Sequence, residues 1–327
     1  MFRKVLNLRK YLNIWAIVVI ASLLFTGAAH AYSLEIAGGQ RQGEVLYQIG
    51  GLATTSSGAR QYLHFPLSEL RFPLNSSVLG LTLGHRLDSG SSLRIMLVQD
   101  VGSVSGAIKD SDWGINHYLI DPMMFPLDSL DIYSESKAEL NGRDVTVEWM
   151  TDYDLAFLSV FNLKMEIGVG LLHQLYKYKI SNTLQSYPST PAVPSDYIPG
   201  STGYYEYESI FPYLKFQMKK RFASQSALSF SASYSPFLRA NDFDNHLLRN
   251  KTSNGESEGY GIRFEGKAGF QLSRLVSMTI GLDYFKTIAN GTQVQKSIET
   301  GVYTETTIGL RNIGEQATAN LAFLVNF

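Results

Sequence analysis

"ATANLAFLVNF", residues 317 to 327, ends the chain, and its pattern decides the fold. Ala317, Ala319, Leu321, Phe323, Val325 and Phe327 are all apolar, whereas the positions between them are mostly small or polar. A period of two is that of a β-strand with one apolar face. Working outward, similar alternation recurs in "LKMEIGVGL" from Leu163, "LSFSASYS" from Leu228, "YGIRFEGKAGF" from Tyr260 and "MTIGLDYF" from Met278. Each pairs an apolar face with a face of Ser, Gly or charge, and the chain is read as all-β.

Apolar faces of this kind either meet each other in the core of a soluble sandwich, or face lipid around a closed barrel whose lumen holds the polar faces. Three features favour the barrel. The chain opens with "MFRKVLNLRKYLNIWAIVVIASLLFTGAAHAYS": four basic residues, an apolar core from Ile14 to Phe25, then Ala29-His30-Ala31. That is the order of a secretory signal peptide, cut after Ala31, which leaves residues 32–327 as one barrel domain. The absence of cysteine excludes disulfides, thiol catalysis and thiolate metal sites. An apolar face that runs to a terminal Phe resembles the last strand of bacterial outer-membrane barrels, the segment read by their insertion machinery.

Turn signals divide the chain. Short breaks fall before residue 93, at 160–162, at 223–226 and at 273–276; longer polar stretches fall at about 102–134, 180–204, 241–257 and 289–304. Short and long connections alternate, as inner turns and outer loops do in such barrels. Counting an initial strand in "YSLEIAGGQRQGEVLYQIGG", the expectation is a transmembrane, antiparallel, up-and-down barrel of about ten strands, its lumen filled by side chains. The charge balance, 28 Lys and Arg against 29 Asp and Glu, turns mildly acidic once the leader is removed, which argues against nucleic acid as a partner.

Two polar clusters fall on the outer side. "KDSDW" puts Asp110 and Asp112 two apart; "DFDNH" alternates Asp242, Asp244 and His246. On a strand, residues two apart share a face. Paired carboxylates raise each other's cost of ionising, and an imidazole whose tautomer is set by its own aspartate can take a proton from water attacking a carbonyl. Separately, the same residues are ordinary loop carboxylates or a strand facing water.

The two motifs, in this order and on these segments, resemble those of the omptins, ten-stranded outer-membrane proteases with an active-site groove at the outer rim of the barrel. "SELRFPLNSSVLGLTLGHRL" from Ser68 and "MTDYDLAFLSVFNLKMEIGVGLLHQLYKYKI" from Met150 resemble the family's second strand and central hairpin. The resemblance implies an endopeptidase of the aspartic type that cuts beside basic residues. It implies that Asp110 pairs with His246 around the attacking water, that Asp112 supports Asp110, and that Asp244 orients His246. Asp242 and Glu44 would hold the substrate's cation. No metal is implied, and lipopolysaccharide is expected as an activator, at a site the sequence does not assign. Asn245 departs from the acidic residue common in the family, and "INHYLIDPMMFPLDSLDIY" after the first motif is unusually apolar. The rival classes are a non-catalytic barrel, adhesin or structural, and a small channel.

Overall fold

The computed structural model describes residues 32–87, 90–153, 161–222, 225–247, 250–299 and 302–327; the leader expected at 1–31 and parts of the turns expected at 160–162 and 223–226 lie outside them. Twelve strands form one antiparallel sheet: β1 (Tyr32–Thr55), β2 (Arg60–Pro73), β3 (Asn75–Arg86), β4 (Ser91–Ser105), β5 (Ala107–Trp113), β6 (Leu130–Tyr153), β7 (Leu163–Ser186), β8 (Asp196–Phe222), β9 (Ser226–His246), β10 (Lys251–Gln271), β11 (Val276–Glu299) and β12 (Val302–Asn326). Among the described residues one short helix, α1 (Ile115–Leu119), follows β5.

The sheet closes on itself. β12 pairs with β1 from Ser33↔Asn326 to Thr55↔Thr306, which removes both edges. The terminal Phe327 is tied in by its N–H, which donates to the Tyr32 carbonyl at 2.9 Å. β3 pairs with the first half of β1 and β2 with the second, so these two segments form one stave. The interruption follows Pro73, which has no N–H for the ladder. β4 and β5 form another stave, broken at Gly106, whose φ of 103° suits glycine. Twelve segments therefore make ten staves, the number expected.

Outward side chains change character along several staves. Near the end that carries both termini they are apolar and exposed, including Ile36, Leu81, Trp149, Val169, Phe230, Leu282 and Phe323. Farther along they form cross-strand ion pairs: Lys177 with Glu206 at 2.7 Å, Lys286 with Glu315 at 2.8 Å and Arg239 with Glu258 at 3.2 Å. The apolar part is the lipid-facing belt. A strand needs only about 9–11 residues to cross a membrane, and β7, with 24, continues far beyond that. This corrects the long outer loops expected at 180–204, 241–257 and 289–304, most of which are strand. Their polar outward residues suggest loop in the sequence, but they face water on walls that stay paired.

The lumen is occupied by polar and aromatic layers. Within the belt Lys215 donates to Glu148 at 2.8 Å and to Glu265, while Arg263 donates to Asp283 at 2.6 Å. Above them Arg41 donates to Asp144 at 2.5 Å, and the Tyr176 hydroxyl donates to the same carboxylate at 3.0 Å. Gly170 makes room for Tyr213, because a Cβ there would strike the tyrosine ring. Tyr213 in turn donates to Glu148 at 2.6 Å. Next comes an aromatic layer of Tyr47, Phe72, Tyr178 and Tyr205, with Phe72 stacked on Tyr205 at 3.8 Å. Burying such rings contributes about 1.5–3 kcal/mol each, and ring pairs add about 0.5–1.5 kcal/mol.

Candidate active site

Above the aromatic layer, the extended walls bring the two motifs together. Asp110 and Asp112 are on β5, paired with Leu70 and Ser68 of β2, so both motifs lie on strands rather than in loops. Asp242, Asp244 and His246 end β9 on one face, with His246 opposite Lys251 of β10. The polar outward neighbours of this stretch, Arg239 among them, put it beyond the lipid belt. Asp110, Asp112, Asp244 and His246 all line one cavity of about 180 Å³, although 128 residues of sequence lie between the two motifs, from Trp113 to Asp242.

Asp244 is buried and its carboxylate lies 2.7 Å from His246 Nε2. Burial pulls the imidazole's proton affinity down, but the charge and hydrogen bond of Asp244, together with the charge of Asp110, overcome it. The net direction is upward from the ordinary value, with Lys251 opposing. A carboxylate that fixes the ring and a second that acts on it across the cavity form a setting in which the ring can take and return a proton.

The other expected residues are placed differently. Asp242 faces inward but is not on the cavity wall: it lies beneath, 4% exposed, accepting from Asn312 Nδ2 at 3.1 Å while its Oδ1 accepts no hydrogen bond from the described residues. Burial, opposed by the Asn312 hydrogen bond and reinforced by the charge of Asp244, pushes its carboxyl up to about 7. Gly255 leaves space for it, since a Cβ there would collide with this carboxylate and with Leu310. Glu44 requires a correction. It is on the outer wall, 3.2 Å from Arg71, and cannot reach the cavity. Strand parity is the reason: Ile36 faces lipid, β1 runs without a register shift as far as Gly50, and Glu44 is an even number of residues farther on.

The inward residue of β1 at this level is Tyr47, which the sequence motifs do not single out. It accepts from Gln293 Nε2 of β11, one stave beyond β12, and meets Tyr205 edge-on at 5.9 Å. Lys251, Ser253 and Gln295 also line the cavity. The alternation of Val45, Tyr47 and Ile49 is a usable signal for the inward face. The remaining described histidines sit elsewhere: His173 pairs with Glu208 at 2.8 Å, His117 bonds the Phe125 carbonyl at 2.8 Å, His85 stacks on Tyr32, and His64 is on β2, its backbone N–H donating to the Tyr118 hydroxyl at 3.0 Å. Lys215 is inside the lumen, away from any outer-wall site for lipopolysaccharide. Among the described residues no group of three or more His, Asp or Glu is arranged to hold a metal ion.

No protein-family model matches the sequence, and no curated protein matches it. Among solved structures, the outer membrane protease OmpT from Escherichia coli superposes with a TM-score of 0.72 at 12% identity, over 92% of this chain and 99% of that one. The translocator domain of the autotransporter NalP from Neisseria meningitidis covers 94% and 96% at 7% identity, with a TM-score of 0.34. OprG from Pseudomonas aeruginosa covers 91% and 97% at 10% identity, also with a TM-score of 0.34. The last two scores add nothing to the argument. The first shows that this chain has the ten-stave fold of the Escherichia coli protease.

Proposed function

We propose that the protein is an omptin-like outer-membrane endopeptidase whose cavity opens to the outside of the cell. The observation that carries this reading is the convergence of Asp110 and Asp112 with Asp244 and His246 on one cavity. Water held between Asp110 and His246 attacks the peptide carbonyl carbon and gives a proton to the imidazole. The C–N bond then breaks, and the imidazole returns that proton to the leaving amine nitrogen. Asp244 holds the ring in register, and Asp112, buried beside Asp110 on the same strand, supports that carboxylate. The lipid belt fits an outer-membrane location, and lipopolysaccharide is proposed as the activator. The preference for basic residues that the resemblance implies would rest on Asp242 alone, since Glu44 is outside the barrel.

The test is cleavage of quenched fluorogenic peptides by the refolded barrel with lipopolysaccharide present. Activity that disappears in Asp110→Ala and in His246→Ala supports the proposal. A folded barrel that cuts no peptide, or activity that both variants retain, sinks it.

A further inference from the structure

Strand β10 runs beside the Asp244–His246 pair. Lys251 is the cross-strand partner of His246 and Ser253 that of Asp244, so both project from the same face as the pair, and both line the cavity. Ser253 is 1% exposed, and its hydroxyl is buried with no hydrogen-bond partner among the described residues. A buried hydroxyl in that state costs free energy unless something that enters the cavity accepts from it. Gln295, the partner of Ser253 on β11, is engaged elsewhere: its amide donates to Gln293 Oε1 at 2.9 Å. Charge poses a second problem. Asp110, Asp112 and Asp244 line the cavity, and attack of water on a carbonyl places a further negative charge among them. Lys251 is the one Lys or Arg among the described residues of the cavity wall, and its charge reaches His246, where it opposes protonation.

From this geometry we infer that Ser253 and Lys251 hold the oxyanion that forms on the substrate's carbonyl oxygen, the hydroxyl and the ammonium being its two hydrogen-bond donors. The inference rests on the endopeptidase reading and deepens it, because neither residue belongs to the two motifs. When the water oxygen bonds to the carbonyl carbon, the electron pair of the C=O π bond moves onto the oxygen, and the two donors meet that charge. When the C–N bond breaks, the pair returns to re-form C=O, and the leaving nitrogen takes its proton from His246. Neither donor gives up a proton, so the balance of the reaction is unchanged. Donors fixed in a buried wall, aimed where charge develops, act on the transition state more than on the bound peptide.

The experiment measures kcat and KM on a fluorogenic peptide with Arg before the scissile bond, for the refolded barrel with lipopolysaccharide and for Ser253→Ala and Lys251→Met, each accepted as folded by its heat-dependent gel mobility. Each variant is expected to lose about 10²–10³-fold in kcat with little change in KM. The loss should persist on the pH plateau. In Ser253→Ala the acidic limb stays in place, whereas removing the Lys251 charge moves it upward, since that charge opposes protonation of His246. A limb that shifts in Ser253→Ala would make Ser253 a support of the Asp244–His246 pair and overturn its assignment; full kcat in either folded variant, or a loss confined to KM, does the same for that residue. If Ser253→Ala does not fold, Ser253→Cys, close in size but a weak donor, takes its place with the same expectation. A phosphinic peptide of the same sequence, whose tetrahedral anion stands where the oxyanion would, separates the inference from the reading beneath it. By fluorescence anisotropy the unaltered barrel should bind it at least about tenfold more tightly than either variant does. If no peptide is cleaved yet this dependence is seen, the endopeptidase reading fails and the anion site stands; equal affinity in all three removes the anion site, whether or not peptides are cleaved.

Discussion

Replacing Asp244 by Asn tests the proposed chemistry, because it moves rate and pH dependence in ways that other losses do not imitate. The substitution keeps the side chain's size but removes the charge 2.7 Å from His246 Nε2, in a place where the carboxylate is 3% exposed. A hydrogen bond to a charged group contributes about 1.5–3 kcal/mol, which corresponds to roughly a ten- to 150-fold loss in kcat/KM. The pH profile carries the sharper information. The base must be neutral, so activity rises with pH as His246 loses its proton, and the carboxylate holds that transition above the ordinary imidazole value. In Asp244→Asn, burial is left opposed mainly by Asp110, and the acidic limb should move to lower pH while the plateau falls. The assay is kcat/KM against pH from about 5 to 9 on the best-cleaved peptide, spanning the usual histidine range. A limb that stays in place, or that moves upward, would refute the assignment of Asp244 as the partner that raises His246.

Other outcomes follow from the same structure. His246→Ala and Asp110→Ala should each lower kcat by about 10²–10⁴-fold, and activity should persist with chelators and thiol reagents, measured on the same peptides. Lys215→Met should destabilise the barrel, by less than the roughly 3–5 kcal/mol of a fully uncompensated buried charge, because Glu148 and Glu265 lose their shared cation but keep Arg94 and Arg263; urea titration in detergent, read by gel mobility, measures this. Removing Glu148 as well should cost less than the sum of the single changes, and strict additivity would argue against the pair. The raised carboxyl of Asp242 lowers stability as pH climbs from its unfolded value near 4 to about 7. Asp242→Asn should therefore flatten that slope and, above pH 7, stabilise the barrel by up to about 4 kcal/mol in the same titration.

Part of the site is legible in the amino-acid pattern. The spacing in "DFDNH" puts Asp244 and His246 on one face, and the pair does form. Glu44 shows where local reading stops. Its carboxylate suits a cation site, but the parity that makes Ile36 face lipid also turns Glu44 outward. Above the lipid belt the pattern inverts: Tyr47, Tyr178 and Tyr205 point inward and the ion pairs face out, so an apolar residue no longer marks the outer wall.

The strand period, the closed all-β class, a count of about ten strands and the face on which each motif residue projects are all written in the chain, because they depend on alternation and on turn residues a few positions apart. That Asp110 and His246 share a cavity, that Asp242 is buried away from its wall, and that the walls rise far above the lipid are visible in three dimensions alone. Those facts depend on closure and on register between strands distant in the chain. A pattern of period two specifies which way a side chain points, but not what it meets on the other side of the barrel.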